Sequence, residues 1–407
     1  ASNNLASIYN YKKNHEKAKN LLEYVLKIKP SDTDALNNYG NALKGLNRFE
    51  EALLYYKKSL ELKPDFIDAI NNMGNCLTSI GRLDEAIKSF KKALSINSNH
   101  INSNWNLSLL QLLVGDFEEG WKNYEWRKKR KATKNKYIQN LNKEWDGRAS
   151  LKNKKIYIYK EQGLGDYIQF SRYLFSIKKL GAHIILDTPA SLKKLIKSLK
   201  IKFEFIDELK DQSFDFYCSI MSLPFAFKTN FETIPNKTPY FFVEKNKEIL
   251  WKQKIKNNTK KIGLCWSGNS KNLTVFNRNI PLKKLVPLFE LPFSFHSLQI
   301  EIEENEKKIF NQHKNFFNHK KEIIGFDNTA ALINNLDLVI TVDTSIAHLA
   351  GALGKKVWIM LPFIPDFRWL LKIDWSPWYP SARLLRQTKF NDWDEIITLI
   401  QKDLKKV

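Results

Sequence analysis

The chain has 407 residues, 43% of them hydrophobic and 13% aromatic, which excludes a disordered protein and points to two or three folded domains. Its net charge is +23, but 56 of the 66 basic residues are Lys and 10 are Arg, spread along the chain rather than clustered with aromatics. Nucleic acid is therefore not the expected partner. There is no run of 18 apolar residues and no apolar leader in ASNNLASIYN, so neither a transmembrane segment nor a secretion signal is expected, and a cytoplasmic location is.

The first third repeats. NNYGNALKGLNRFEEALLYYKKSLELKP (Asn37 to Pro64) returns as NNMGNCLTSIGRLDEAIKSFKKALSINS (Asn71 to Ser98), 34 residues later. The same step links Ala18, Ala52 and Ala86, and links Ala6, Gly40 and Gly74. A 34-residue period with small residues where paired helices cross is the tetratricopeptide pattern. A degenerate fourth copy runs from about 101 to 130, and its ending dissolves into basic residues after Trp121 and Trp126. The first copy begins inside its first helix, and Ala1 is not Met, so further chain upstream is expected.

Asn4, Asn38, Asn72 and Asn106 also recur at the 34-residue step, on the first helix of each pair. An amide donates and accepts at once, so a ladder of them could hold the backbone of an extended polypeptide. The alternative is a solvated face in an Asn-rich chain.

RKKRKATKNK (Arg127 to Lys136) opens a charged connector, taken as 131–152. Beyond it, short apolar runs alternate with helical stretches. KIYIY (155–159), a helix from about Asp166, HIILD (183–187), a helix over 190–199, FEFID (203–207) and FDFYC (214–218) make a first parallel sheet, in a domain over 153–250. KIGLCW (261–266), FSFHSLQ (293–299), a helix over 328–335, LDLVI (336–340), a helix over 345–353 and VWIML (357–361) make a second, in a domain over 251–407. The expected fold is an α-solenoid over 1–130 followed by two Rossmann-like domains, with ligands in the cleft between them.

Each Rossmann-like half opens with a polar, glycine-bearing turn: KEQGLGDYIQF (160–170) and CWSGNS (265–270). A third lies in TVDTSIAHLAGALG (341–354), where Asp343, Thr344 and Ser345 stand at a strand-to-helix turn and His348 follows on the first helical turn. Free N–H groups and hydroxyls there suit a phosphate; a simple helix cap would need only one of them. Cys76, Cys218 and Cys265 are widely separated and read as reduced, buried thiols. No His/Cys set has metal-ligand spacing, so neither metal nor cofactor is expected.

EQGLGDYIQFSRYL, IGLCWSGN, NRNIPL, DNTAALI, VDTSIAHLAGALGKKVWIMLP and DFRWLL, in that order, resemble bacterial proteins that join tetratricopeptide repeats to a GT-B glycosyltransferase domain related to the lipopolysaccharide heptosyltransferases (glycosyltransferase family 9). Flagellin glycosyltransferases share this layout, and the ladder resembles that of O-linked N-acetylglucosamine transferase. The resemblance implies inverting, metal-independent transfer from a nucleotide-sugar donor. It makes Asp166 the general base, with a helix N-cap as its alternative role. Gln162, Gly163 and Gly165 would meet the acceptor beside it. Trp266, Ser267, Gly268 and Asn269 would meet the donor; Asp343, Thr344, Ser345, His348 and Leu349 would hold its diphosphate or nucleotide end. Arg278 would neutralise phosphate, and Gln299 and Asp327 would contact base or ribose. Arg368 reads as a core-edge residue beside Trp369.

The repeat array favours Ser or Thr of a bound polypeptide as acceptor, with Asn4, Asn38, Asn72 and Asn106 as its contacts. A lipopolysaccharide or other glycan acceptor is the alternative, and a non-catalytic repeat scaffold a second one.

Overall fold

The computed structural model describes residues 2–130, 143–161, 163–206, 213–268 and 278–406. The chain divides into two compact units, 1–134 and 135–407.

The first unit is four helix pairs: α1 (Ser2–Tyr11) with α2 (His15–Ile28), α3 (Thr33–Gly45) with α4 (Phe49–Leu62), α5 (Ile67–Ser79) with α6 (Leu83–Ile96), and α7 (Ile101–Val114) with α8 (Phe117–Tyr124). The small residues of the 34-residue step sit at the helix crossings. Ala18, Ala52 and Ala86 have no exposed surface. A β-carbon on Gly40 would lie 2.6 Å from the ring of Tyr56, and one on Gly74 would lie 2.7 Å from that of Phe90. The fourth copy replaces the usual ending with buried aromatics: Phe117, Trp121 and Tyr124 pack together, and the buried Arg127 guanidinium lies 4.8 Å from the Tyr124 ring while pairing with Glu125.

The ladder asparagines fall on α1, α3, α5 and α7 as expected, but they bond to one another's neighbours. Nδ2 of Asn38 donates to Asn3 (2.7 Å), that of Asn72 to Asn37 (3.0 Å) and that of Asn106 to Asn71 (3.0 Å). Each repeat is thus tied to the one before it by a side-chain amide, a packing role that the spacing alone did not reveal. Asn4 is exposed.

The second unit begins with residues that had been assigned to the connector. Trp145 is buried, and its backbone N–H donates to Tyr217. The chain then runs β1 (Lys155–Tyr159), α9 (Leu164–Phe170), α10 (Tyr173–Lys179), β2 (His183–Asp187), α11 (Lys193–Ile196), β3 (Glu204–Ile206), β4 (Phe216–Ser219), α12 (Leu223–Ala226) and α13 (Lys245–Lys254). It continues through β5 (Lys261–Cys265), α14 (Leu282–Leu285), β6 (Ser294–Ser297), α15 (Glu304–Gln312), β7 (Phe316–Asn318), α16 (Phe326–Asn334), β8 (Leu338–Val342), α17 (Ser345–Ala352), β9 (Val357–Leu361), β10 (Ala382–Arg386) and α18 (Asp394–Leu404).

Two parallel sheets result, ordered β3-β2-β1-β4 and β10-β9-β8-β5-β6-β7. β8 and β9 are buried along their whole length, as near-continuous apolar strands of a doubly covered sheet are. The second sheet changes direction between β5 and β8, whose Cys265 and Thr341 lie side by side. Chains leaving such neighbours diverge to opposite faces and open a crevice at their carboxyl ends. The turns after β5 and β8 are two of the three polar turns of the sequence.

The two halves are joined by main-chain and buried polar contacts. Tyr240 N–H donates to Ala352. The buried Arg172, just before α10, donates to the carbonyls of Gln169, Pro235 (3.1 Å) and Trp378 (2.7 Å) and to the Tyr240 hydroxyl. The rings of Tyr240, Trp378 and Tyr379 surround its guanidinium at 4.5–5.4 Å. No helix among the described residues is long and apolar enough to cross a membrane.

Candidate functional site

The turn from β8 to α17 folds back on Thr344, whose carbonyl accepts from Ala347 N and His348 N. Thr344 has extended backbone and caps the helix, its Oγ1 accepting from Ile346 N at 3.2 Å. Ser345 stands half-exposed at the first helical position. Opposite, the turn after β5 is braced from below: Gln299 Oε1 accepts from Ser267 N (3.2 Å) and from the Cys265 thiol (3.3 Å), and Asn279 Oδ1 accepts from Gly268 N (2.9 Å). Gly268 lets the Arg278 guanidinium come close, since a β-carbon there would lie 2.6 Å from Nη2. Arg278 points toward Asp343, Nη1 to Oδ2 3.9 Å, and its buried Nε has no hydrogen-bond partner among the described residues. A half-buried cation beside a helix N-terminus with an unspent donor is a site prepared for an anion.

The first half contributes α9, whose N-terminus packs directly on α17. Gly165 makes this approach possible: a β-carbon would sit 2.9 Å from His348 Cδ2 and 3.3 Å from Ser345 Cα. Asp166 follows. Its Oδ2 accepts from Gly163 N at 3.1 Å, and its Oδ1 pairs with Nη2 of Arg368 at 2.5 Å. Arg368 bridges on to Asp366 Oδ1 at 2.6 Å, and Asp366 in turn caps the short turn Phe367–Trp369 through Arg368 N. Arg368 was expected only as a core-edge residue. It is buried, but as the partner of Asp166, from a segment 202 residues away.

His348 lies between these groups. Its ring stacks on Trp369 (5.3 Å, 18° between planes), its Nδ1 is 3.0 Å from the Tyr379 hydroxyl, and its Nε2 faces Asp343 Oδ1 at 4.0 Å. Burial, reinforced by the positive charges of Arg368, Arg172 and Arg278, holds its pKa well below the usual imidazole value, so the ring is neutral. Burial also raises the carboxyl of Asp343, to about 6, with Asp366 adding repulsion and Arg278 and Arg368 opposing it. Asp166 is raised by burial and held back chiefly by Arg368. A carboxylate brought upward toward neutrality is a better proton acceptor than a solvated one.

Of the expected site residues, Asp166, Gly163, Gly165, Asp343, Thr344, Ser345, His348, Ser267, Gly268 and Arg278 surround these turns. Gln162 and Asn269 lie outside the described residues. Three expectations are corrected by packing. Trp266 has no exposed surface; its ring fills the core under the second sheet and its indole N–H donates to Glu306 at 2.7 Å. Leu349 is fully buried on α17 and packs there. Asp327 is paired with Lys247 and lines a small cavity with Lys194 and Lys197 rather than joining the Asp343 cluster. Gln299 is buried too, and acts on the site by bracing the Cys265–Ser267 turn. Sequence reasoning overlooked Asp366, Tyr379 and Asn279. The spacing of DFR in DFRWLL was the available sign of a carboxylate–arginine pair.

Comparison with known proteins finds likenesses in both units. Residues 33–66 and 67–100, and residues 1–32, match two tetratricopeptide repeat families, and residues 322–359, which carry Asp343 to Leu349, match glycosyltransferase family 9 (heptosyltransferase). Protein FlbA of Caulobacter vibrioides is 23% identical over 303 residues, 68% of this chain and 50% of FlbA, so the chain spans about half the length of that curated relative. Among solved structures, a glycosyl transferase family 9 protein from Veillonella parvula is 12% identical with a TM-score of 0.46, over 64% of this chain and 91% of its own. The MamA protein is 19% identical with a TM-score of 0.28, over 31% of this chain and 70% of its own. The chain carries tetratricopeptide repeats followed by a glycosyltransferase family 9 domain, and that domain suggests glycosyl transfer.

Proposed function

We propose that this chain, a tetratricopeptide-repeat protein with a glycosyltransferase family 9 domain, moves a sugar from a nucleotide diphosphate donor to an acceptor hydroxyl in the cleft between the two sheets of a GT-B fold. The observation that carries the reading is Arg278, a guanidinium with an unspent buried donor set against the N-terminus of α17. The diphosphate lies over Ser345 at the positive end of α17, and Arg278 neutralises it. The acceptor oxygen attacks the anomeric carbon as its proton passes to Asp166, and the bond to the diphosphate breaks with its electron pair leaving on the nucleotide. A single displacement of this kind inverts the anomeric centre. Positive charge for the leaving group comes from arginine and the helix end, which makes the transfer metal-independent.

For the acceptor we favour Ser or Thr of a polypeptide lying along the repeats. The support is the ladder: Asn38, Asn72 and Asn106 each spend one N–H on the preceding repeat and keep the carbonyl oxygen for a backbone donor. Thermal shift with UDP-, GDP-, ADP- and CMP-sugars identifies the donor, because a bound ligand raises stability by mass action. With that donor, Asp166→Asn should lose roughly 10²-fold in turnover, the range of a lost general base. A fully active Asn variant removes Asp166 as base. Modification of glycans alone, with nothing lost in an Asn38→Ala/Asn72→Ala double variant, removes the polypeptide acceptor.

A further inference from the structure

We propose that Arg368 is a positioning residue with two alternative partners: in the donor-free protein it holds Asp166 and Asp366, and the donor diphosphate draws it away, releasing Asp166 to accept the acceptor's proton. The proposal rests on the glycosyl-transfer reading above and adds an order to it, donor first.

The geometry poses the problem that this exchange solves. Asp166 has both oxygens engaged, one by Gly163 N–H and one by Arg368 at 2.5 Å. An arginine bonded to a carboxylate stabilises its charged form and so weakens it as a base. Yet the same cleft must receive a dianionic diphosphate beside three carboxylates, Asp166, Asp343 and Asp366; Arg172 is committed to main-chain carbonyls, which leaves Arg278 and Arg368 to face them. His348 adds no charge, because it is neutral. Arg278 alone cannot offset both the ligand and the carboxylates, so a diphosphate competes for Arg368.

That competition is geometrically available. Arg368 is 7% exposed in its side chain and its charge already acts on Asp343 and His348, the residues beside the α17 turn. A planar guanidinium bonded to two carboxylate oxygens presents the fork that phosphate oxygens also fit. Asp166 and Asp366 therefore occupy the guanidinium as the phosphates would. Once Arg368 turns to the ligand, Asp166 keeps only the Gly163 contact and stands in a buried, newly negative setting, which favours taking up a proton. Before the donor binds, the base is held inactive.

The exchange makes a prediction of opposite sign for the two ends of the ion pair. Removing a carboxylate frees Arg368 for the ligand; removing Arg368 takes a ligand contact away. A merely structural salt bridge predicts losses, or nothing, from both ends. Binding of UDP, ADP, GDP and inorganic pyrophosphate to the full chain, measured by titration calorimetry, separates the cases. Asp166→Asn and Asp366→Asn should each bind the preferred diphosphate several-fold more tightly than the parent, and Arg368→Gln at least about tenfold more weakly, or about 1.4 kcal/mol. Two Asn variants with unchanged or weakened binding overturn the exchange while leaving the glycosyl-transfer reading standing. A parent chain that binds none of the four probes overturns that reading, and the exchange with it.

Discussion

The hydroxyl of Tyr379 lies 3.0 Å from Nδ1 of His348, so the phenol and the ring share one proton position. Nε2 faces the Asp343 carboxylate at 4.0 Å, where a lone pair would be repelled and an N–H attracted. The expected arrangement has the phenol donating to Nδ1 and His348 offering an Nε2–H to the cleft. Tyr379→Phe should lose about tenfold in turnover, with a stability loss of about 1 kcal/mol for one buried hydrogen bond. Imidazole nitrogen NMR should show a mixture of tautomers in the variant and a single Nε2–H form in the parent.

Asp343 titrates at about 6 in the folded chain against an ordinary 3.8. Between those values the folded chain holds a proton that the unfolded chain has released, so stability falls as pH rises through the window. Above it, the ionised carboxylate costs on the order of 3 kcal/mol. Asp343→Asn should therefore melt several degrees above the parent at pH 7.5, with the gain shrinking toward pH 4.5. A gain of equal size at both pH values would show that charge is not its cause.

Gly165 is held by contact rather than by backbone conformation. A β-carbon there would press on His348 Cδ2 at 2.9 Å and Ser345 Cα at 3.3 Å, and the second of these belongs to main chain that cannot yield. Gly165→Ala should cost about 1–3 kcal/mol, as overpacking does. It should also reduce nucleotide affinity, because the displaced atoms are those of the α17 turn. Parent-like melting would mean that α9 and α17 slide apart freely.

Asn71 is 5% exposed and accepts from Asn106 Nδ2 at 3.0 Å and from Ser103 Oγ at 3.2 Å. Asn71→Ala leaves two donors without their acceptor, a loss of about 1–3 kcal/mol confined to the repeat unit. Hydrogen exchange in α5 and α7 should speed up by tenfold or more while β5, β8 and β9 remain unchanged. An effect spread evenly over both units would contradict the local tie.

The parts of the fold legible in the sequence are those written in contiguous residues. The 34-residue step gave the helix pairs, and VDTSIAH declared its own strand, turn and helix because each group acts on its neighbours. α18, an amphipathic DEIITLIQKDL, was equally readable and was passed over; β7 has three residues and too little pattern to detect. Trp266 was misplaced because a residue at a strand end can face the cleft or the core, and periodicity cannot choose after a strand buried from Ile262 to Cys265. The Asp166–Arg368 pair was invisible because no local rule couples residues 202 apart. The ladder's bonds run from one repeat to the residue before the equivalent asparagine of the last, a partner that alignment of like with like passes by.

Arg172 shows how unevenly a fold can respond to mutation. Three of its four hydrogen-bond acceptors are the main-chain carbonyls of Gln169, Pro235 and Trp378, and only Tyr240 offers a side chain. Every residue type carries a carbonyl, so the sequence at 169, 235 and 378 can drift without stranding the cation. Arg172 itself has no such latitude. A lysine there has neither the planar fork nor the reach to serve three carbonyls in two halves, and an apolar residue would leave those carbonyls buried and unbonded. At Arg172 the join between the two halves is thus tolerant at its sockets and intolerant at its plug.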